Sequence, residues 1–442
     1  MLTTIDQSMF DTLTGRLSTA LEADARRYPG DSHNRQPVHT VYGGAQLFNA
    51  DTPAKLGRLA ARAFGEYAAE PTVLTSVLGI DPDLAGVVHQ RVREKLAREP
   101  IEDLRVDFED GYGIRADDVE DADAVKAAAE MAKALDAGTL PPFIGIRVKA
   151  LSSEAKRRSI RTLDLFLTAL VEAAGRLPDN FLITLPKVVL AEQVAALADA
   201  FDLLEQKLGI AAGTLKMEIM IESTRSIITA DGRWAMPIFL EAARGRMSGA
   251  HFGAYDYTAS CGITSANQDM LHQACDYARN VMQTAYGGTG VFLSDGATNI
   301  MPVGPHRGED LSAGQLAENR TVVQRAWRLH YDHVRHSLAG GFYQGWDLHP
   351  AQIPTRYAAI FAFFMENMET AAVRLRNFIA AAARATLVGD QFDDAATGQG
   401  LLLFFVRAVN CGAVSEDYAA RLTGLTIEQL RSASFADLIA KP

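Results

Sequence analysis

The chain is predicted to fold as a closed (β/α)8 TIM barrel with an inserted helix after the first strand and a helical module at the C-terminus. Three observations predict this: short β-rich runs alternate with longer amphipathic stretches, the runs are largely apolar, and their number reaches eight. Alternation of this kind marks parallel strands joined by helices, and an apolar run marks a strand covered on both faces. With 442 residues, the chain can supply one barrel of about 250 residues and substantial additions.

Six runs are clear: Val38–Tyr42, Leu104–Phe108, Phe143–Val148, Phe181–Leu185, Lys216–Ile221 and Gly249–Phe252. A seventh is placed at Gly290–Leu293 or Asn299–Val303, and an eighth at Phe342–Leu348. Eight strands would close a barrel, with an open doubly wound sheet as the alternative, since the last two runs are the least sharply placed. Between the first two strands lie two helical patterns, Pro53–Ala69 and Pro82–Ala97, where a barrel unit needs one, so one is an insertion. After the eighth strand, Gln352–Ala383 reads as one or two helices and Gly389–Gln399 as a loop rich in Asp and Gly. Leu401–Val409 is strongly apolar, and Thr426 to Gln429 resembles a capping box at a helix start. The domain reading is a catalytic barrel with an N-terminal helical extension over residues 1–350 and a C-terminal helical module over 351–442.

Composition narrows the function classes. Hydrophobic residues make up 48% and charged residues 22%, which argues against disorder and fibrous architectures. A formal net charge of -11 disfavours nonspecific attraction to nucleic acid or an anionic membrane. No apolar run reaches the roughly 18 to 20 residues that span a bilayer, and Met1–Leu13 lacks signal-peptide character, so a cytoplasmic location is expected. Cys261, Cys275 and Cys411 match neither a disulfide framework nor a metal motif and read as buried or incidental thiols.

In a barrel, chemistry gathers where the carboxyl ends of the strands converge, so polar residues directly after apolar runs are the candidates. The fifth run ends in Glu222, and the sixth leads through Gly253 to Asp256. Two carboxylates from neighbouring strands suit magnesium, which takes one or two protein carboxylates and completes its shell with water and substrate oxygens. Alone, each acid is explained as well by a helix cap. Gly253 lets the backbone pass close to the site. Glu109 and Asp110 follow the second run, either as a solvated pair or as supports for a metal and its waters.

Arg147 sits inside the third run, where a guanidinium needs an anionic partner: Glu109 or Asp110, a substrate carboxylate or enolate, or both. Lys187, after the fourth run, either reaches an anionic ligand or pairs with an acid. His349 reads as a structural imidazole rather than a base or ligand, and Gly287–Gly290 as a turn rather than a phosphate cradle.

In this order the segments DFEDGYG (107–113), IRV (146–148), LPK (185–187), MIES (220–223), HFGAYD (251–256) and GWDLHPAQI (345–353) resemble the signature segments of the HpcH/HpaI aldolase, citrate lyase β-subunit and malyl-CoA lyase family, among the phosphoenolpyruvate/pyruvate-type barrels. The resemblance runs from Val38 to about Ile353. It implies that Glu222 and Asp256 bind Mg2+ or Mn2+, that Glu109 and Asp110 hold metal-bound water, and that Arg147 binds the substrate carboxylate or enolate. Relatives often carry an Arg-Ser pair at the first strand and a Gly-Lys pair before the late His-Pro. Here Val38–Tyr42 and Gln344–His349 stand instead. The departures weaken the case for a coenzyme A thioester and suit a smaller free acid, with Lys187, Gly253 and Asp347 joining Arg147 in substrate binding. In some relatives a terminal acid completes a neighbouring subunit's site, for which Asp393 and Asp394 are candidates, although loop acids are the plainer reading.

The expectation is a metal-dependent carbon–carbon lyase or aldolase, homo-oligomeric, acting on a 2-oxo acid or malyl-type thioester through an enolate. Its partner is a small carboxylate, with neither nucleic acid nor membrane. The alternatives are phosphoryl or carboxyl chemistry on phosphoenolpyruvate, for which no strong nucleotide-binding motif speaks, and a catalytically silent scaffold.

Overall fold

The computed structural model describes residues 4–30, 32, 34–380, 386–388, 391–393 and 395–432. Eight parallel strands pair in chain order, and the eighth returns to the first: β1 (His39–Gly44), β2 (Asp103–Asp107), β3 (Phe143–Arg147), β4 (Phe181–Leu185), β5 (Lys216–Ile221), β6 (Met247–Phe252), β7 (Phe292–Ala297) and β8 (Gln344–Asp347). This is the TIM barrel that the periodicity predicts. The six clear runs all become strands. The seventh overlaps the end of the first expected position, at Phe292 and Leu293, and finishes before the second begins.

Three helices, not two, separate β1 from β2: α2 (Thr52–Tyr67), α3 (Thr72–Leu78) and α4 (Pro82–Arg98). The short α3 ends on Gly79, whose left-handed conformation stops it. Around the barrel run α5 (Asp117–Asp136), α6 (Lys156–Ala174), α7 (Ala191–Leu208), α8 (Ala235–Ala242), α9 (Ala254–Ser260), α10 (Gln273–Tyr286) and α11 (Ala313–Ala339). The long α12 (Ile353–Ala380) packs on α11 and α4, burying Tyr357, Phe361, Phe364, Leu375 and Phe378. In the expected Gly389–Gln399 loop, Gln391–Asp393 pairs instead with Thr386–Val388 as a short hairpin, and a helix, α13 (Ala395–Asn410), already starts at Ala395. Phe404 of α13 meets Phe364 edge-on at 5.2 Å. The expected capping box is present: Thr426 N–H donates to Gln429 Oε1 at 2.8 Å and Gln429 N–H to Thr426 Oγ1 at 3.2 Å. The N-terminal helix, α1 (Gln7–Arg27), buries none of its residues. Among the described residues no helix is long and apolar enough to cross a membrane.

The barrel's lumen is polar. Arg105 Nε donates to Glu218 Oε1 at 2.8 Å and to Thr184 Oγ1 at 3.1 Å, and its Nη1 pairs with Asp103. His251 Nε2 lies 2.8 Å from Glu218 Oε2, and Thr40 Oγ1 donates to Asp103 Oδ2 at 2.8 Å. Burial pushes the Glu218 carboxyl up, but Arg105 and His251 outweigh it and hold Glu218 well below the usual carboxylate range. Five strands are thereby tied together through the lumen.

Backbone proximity is tightest at Gly145, where a Cβ would stand 1.8 Å from the Leu182 carbonyl oxygen within the β3–β4 ladder. Gly145→Ala is expected to destabilise the protein by more than about 3 kcal/mol or to prevent folding, because a backbone atom cannot move aside as a side-chain tip can. Denaturant unfolding of the variant checks this.

Candidate metal and substrate site

At the carboxyl end of β2, Asp107 organises the turn that follows. Its Oδ1 accepts Glu109 N–H at 2.9 Å and its Oδ2 accepts Gly111 N–H at 2.8 Å. The same carboxylate grips Arg147 of β3 with both oxygens, Nε to Oδ1 at 2.7 Å and Nη2 to Oδ2 at 2.5 Å. The third edge, Nη1, lies 3.3 Å from Glu109 Oε2 and 3.9 Å from Asp110 Oδ2. The guanidinium is also flanked by aromatic faces, 4.7 Å from the Tyr42 centroid and 5.3 Å from that of Trp346.

Lys187 follows Pro186 after β4 and adopts a left-handed backbone, φ 53°. That conformation lets one residue serve three acids. Its N–H donates to Glu222 Oε1 at 2.6 Å, while its ammonium pairs with Glu109 and lies 3.0 Å from Asp110 Oδ1. Burial pushes the ammonium down, but the two acids outweigh it and raise Lys187 above its ordinary range. Glu109 is pushed up by burial, and Asp110 is pulled down by Glu109 and Lys187 against its own burial.

Glu222, directly after β5, is 4% exposed. Gly253, directly after β6, passes so close that a Cβ there would meet Glu222 Cβ at 2.5 Å and Oε2 at 2.6 Å, which is the close backbone approach expected of this glycine. Asp256 stands in the first turn of α9. Burial first, and the Asp256 charge second, push the Glu222 carboxyl up to about 8.

Five carboxylates, Asp107, Glu109, Asp110, Glu222 and Asp256, thus share this mouth with two cations, Arg147 and Lys187. An all-oxygen donor set with surplus negative charge fits a hard divalent cation. Among the described residues no three carboxylate, imidazole or thiol groups converge on one metal position. The fit is to a two-carboxylate site that water and substrate oxygens complete.

The structure brings together Arg147, Glu109, Asp110, Lys187, Gly253, Glu222 and Asp256. It does not bring Asp347 to them, which corrects the expectation of a substrate contact there. At the mouth end of β8 the lumen-facing residue is Trp346. Asp347 points outward, accepting from Arg356 Nε at 2.7 Å and Nη2 at 2.8 Å, with His330 Nε2 at 3.0 Å. His349 is structural, its Nδ1 accepting Ala351 N–H at 3.1 Å. Gly287–Gly290 forms a turn between α10 and β7, at the opposite, amino end of the strands. Asp393 falls in the hairpin and Asp394 lies outside the described residues. Sequence reasoning missed Asp107, Tyr42 and Trp346. The available signal for Asp107 was the charge at every second position of Asp103-Leu-Arg105-Val-Asp107.

Fold and site together define a (β/α)8-barrel protein with an acidic, cation-compatible mouth at the carboxyl ends of its strands. The chain belongs to the DUF6986 family, described as a domain of unknown function, whose model matches residues 17–438. No curated protein matches it. Among the solved structures similar to it are these three. A citrate lyase from Burkholderia xenovorans LB400 is 18% identical with TM-score 0.55, over 88% of this chain and 96% of that one. A malate synthase from Haloferax volcanii is 14% identical with TM-score 0.49, over 93% and 99%. The CitE protein of Mycobacterium tuberculosis, solved with magnesium, acetoacetate and coenzyme A, is 15% identical with TM-score 0.47, over 86% and 99%. The likeness to the Burkholderia protein is one of fold alone.

Two outcomes follow from these contacts. An acid ionising at about 8 in the folded chain, against its ordinary 4.5, keeps its proton in the folded state after the unfolded chain has lost it. Metal-free protein is therefore expected to lose stability as pH rises from about 4.5 to about 8. Thermal melts across that window should show the slope, and Glu222→Gln should flatten it. Asp347→Ala strands Arg356 without its partner in the buried shell and is expected to cost about 3–5 kcal/mol. Magnesium affinity in that variant, measured by calorimetry, should be unchanged.

Proposed function

We propose that the protein is a magnesium-dependent carbon–carbon lyase or aldolase acting on a 2-oxo acid or a malyl-type thioester. The observation that carries the reading is the convergence of Glu222 and Asp256 beside Arg147 at the barrel mouth, with Glu222 pushed up by burial and by its acidic neighbour. Manganese fits the same oxygen donors.

Glu222 and Asp256 would hold the cation. When bound, that cation would supply electrostatic stabilisation of the enolate charge that develops as the carbon–carbon bond breaks. Arg147 offers Nη1 to the substrate's carboxylate while Asp107 fixes its other edges, so the cation is oriented before substrate arrives. Lys187 keeps Glu222 in place through its N–H and holds Glu109 and Asp110 with its ammonium. Those two acids lie at the exposed side of Arg147, where they can order water.

Glu222→Gln should abolish magnesium-dependent cleavage of a 4-hydroxy-2-oxo acid and leave the fold intact by circular dichroism. Full turnover in that variant would reject the assignment. Calorimetric titration of magnesium with pyruvate or oxalate should show each ligand tightening the other, which a silent scaffold would not do. ATP-dependent phosphate transfer to pyruvate would favour phosphoryl chemistry instead.

A further inference from the structure

We propose that the N-terminal helix α1 is the surface through which two copies of this chain associate, its apolar stripe packed antiparallel against the same stripe of the partner. Phe10, Leu13, Leu17 and Leu21 follow one another at three- or four-residue steps, with Met9 at their edge, so all five stand on one side of the helix. Each leaves more than half of its surface in water, and no residue of α1 is buried. The other side is polar, with Ser8, Asp11, Thr12, Thr19, Glu22 and Arg26. Intrinsic propensity does little for this helix, since Gly15, Thr12, Thr14 and Thr19 all lie within it, and such a helix depends on packing of its apolar side. Nothing among the described residues of the chain covers that side.

A second α1 fits the uncovered side in size and in charge. Burying the five side chains on both helices would take on the order of 1,000 Å2 out of water, where specific interfaces begin. Asp6, the N-cap, and Asp24 are about five helical turns apart, which puts both in line with the stripe, one at each end. A parallel pair would set each of these acids opposite its own copy. An antiparallel pair centred on Leu17 brings Leu13 to the partner's Leu21 and Asp6 toward the partner's Arg27, and it opposes the two helix dipoles. Over residues 6–27 four acids stand against three arginines, so α1 lacks the cationic polar face with which an amphipathic helix holds an anionic membrane. Its root is fixed on the barrel at the end away from the metal site, where Gly30 N–H donates to the Gly288 carbonyl oxygen at 2.9 Å in the turn before β7.

Sedimentation equilibrium of the full chain at roughly 50 µM should give twice the mass of one chain, with dissociation on dilution. Leu17→Glu places like charges at the centre of the pair and should weaken association at least about tenfold. Its thermal melt should stay that of the unaltered chain, because Leu17 is unburied within its own chain. The direction of pairing is read by oxidative cross-linking in a Cys261→Ser background, which removes the exposed native thiol. A mixture of Leu13→Cys and Leu21→Cys chains should form the mixed disulfide in preference to either self-disulfide. A chain that stays single at that concentration, or a dimer that Leu17→Glu leaves intact, would overturn the interface. Self-disulfides in place of the mixed one would overturn the antiparallel pairing. A single chain that cosediments with anionic lipid vesicles would give the stripe to a membrane surface and overturn the proposal. The dilution series of the unaltered chain decides even where a variant does not fold.

Discussion

The burial of the Glu222 carboxyl beside the Asp256 charge is the constraint around which the neighbouring groups of the barrel mouth are arranged. The Lys187 N–H and the bare Cα of Gly253 leave the Glu222 carboxylate little room to swing away. Among the described residues no ammonium or guanidinium forms an ion pair with it, and Lys187 and Arg147 act on it only from a distance. The two available cations are committed to the acids of the β2 loop and to Asp107. A dry carboxylate in that position raises its own proton affinity, and a divalent cation is the simplest partner that removes the strain.

The lumen beneath explains how such a mouth stays rigid. A barrel interior filled with branched aliphatic side chains is the common solution. Here the filling is a polar network that links Arg105, Glu218, Asp103, His251, Thr184 and Thr40 and leaves Arg105 Nη2 and His251 Nδ1 without a partner. Ion pairs at this depth contribute less to net stability than hydrocarbon packing would, but their directionality ties the strands in one register. Arg147 and Asp107 form the next level up, so the guanidinium at the mouth stands on a fixed base.

The helical shell has electrostatics of its own. Asp347, Arg356, His330 and His39 meet between β8, β1 and the helices outside them, a buried group that joins the barrel to α11 and α12. Through α12 the terminal helices gain an aromatic and aliphatic surface to pack on. These residues build the shell and do not face the mouth.

Local order along the chain was enough to determine the barrel. The period of the apolar runs, their length and their alternation with amphipathic stretches report burial on both faces, which only a parallel sheet sheathed in helices provides. Strand-end position was likewise enough to bring Glu222, Asp256, Arg147, Glu109, Asp110 and Lys187 together, because every parallel strand delivers its last residues to the same rim. What a linear reading does not contain is which way each side chain points, since one residue of register sends it to the lumen or to the helices. That parity alone separated Trp346 from Asp347 and assigned Arg147 to Asp107. It also placed Tyr42 across the mouth from Glu222, a neighbourhood created only by closing the eighth strand onto the first.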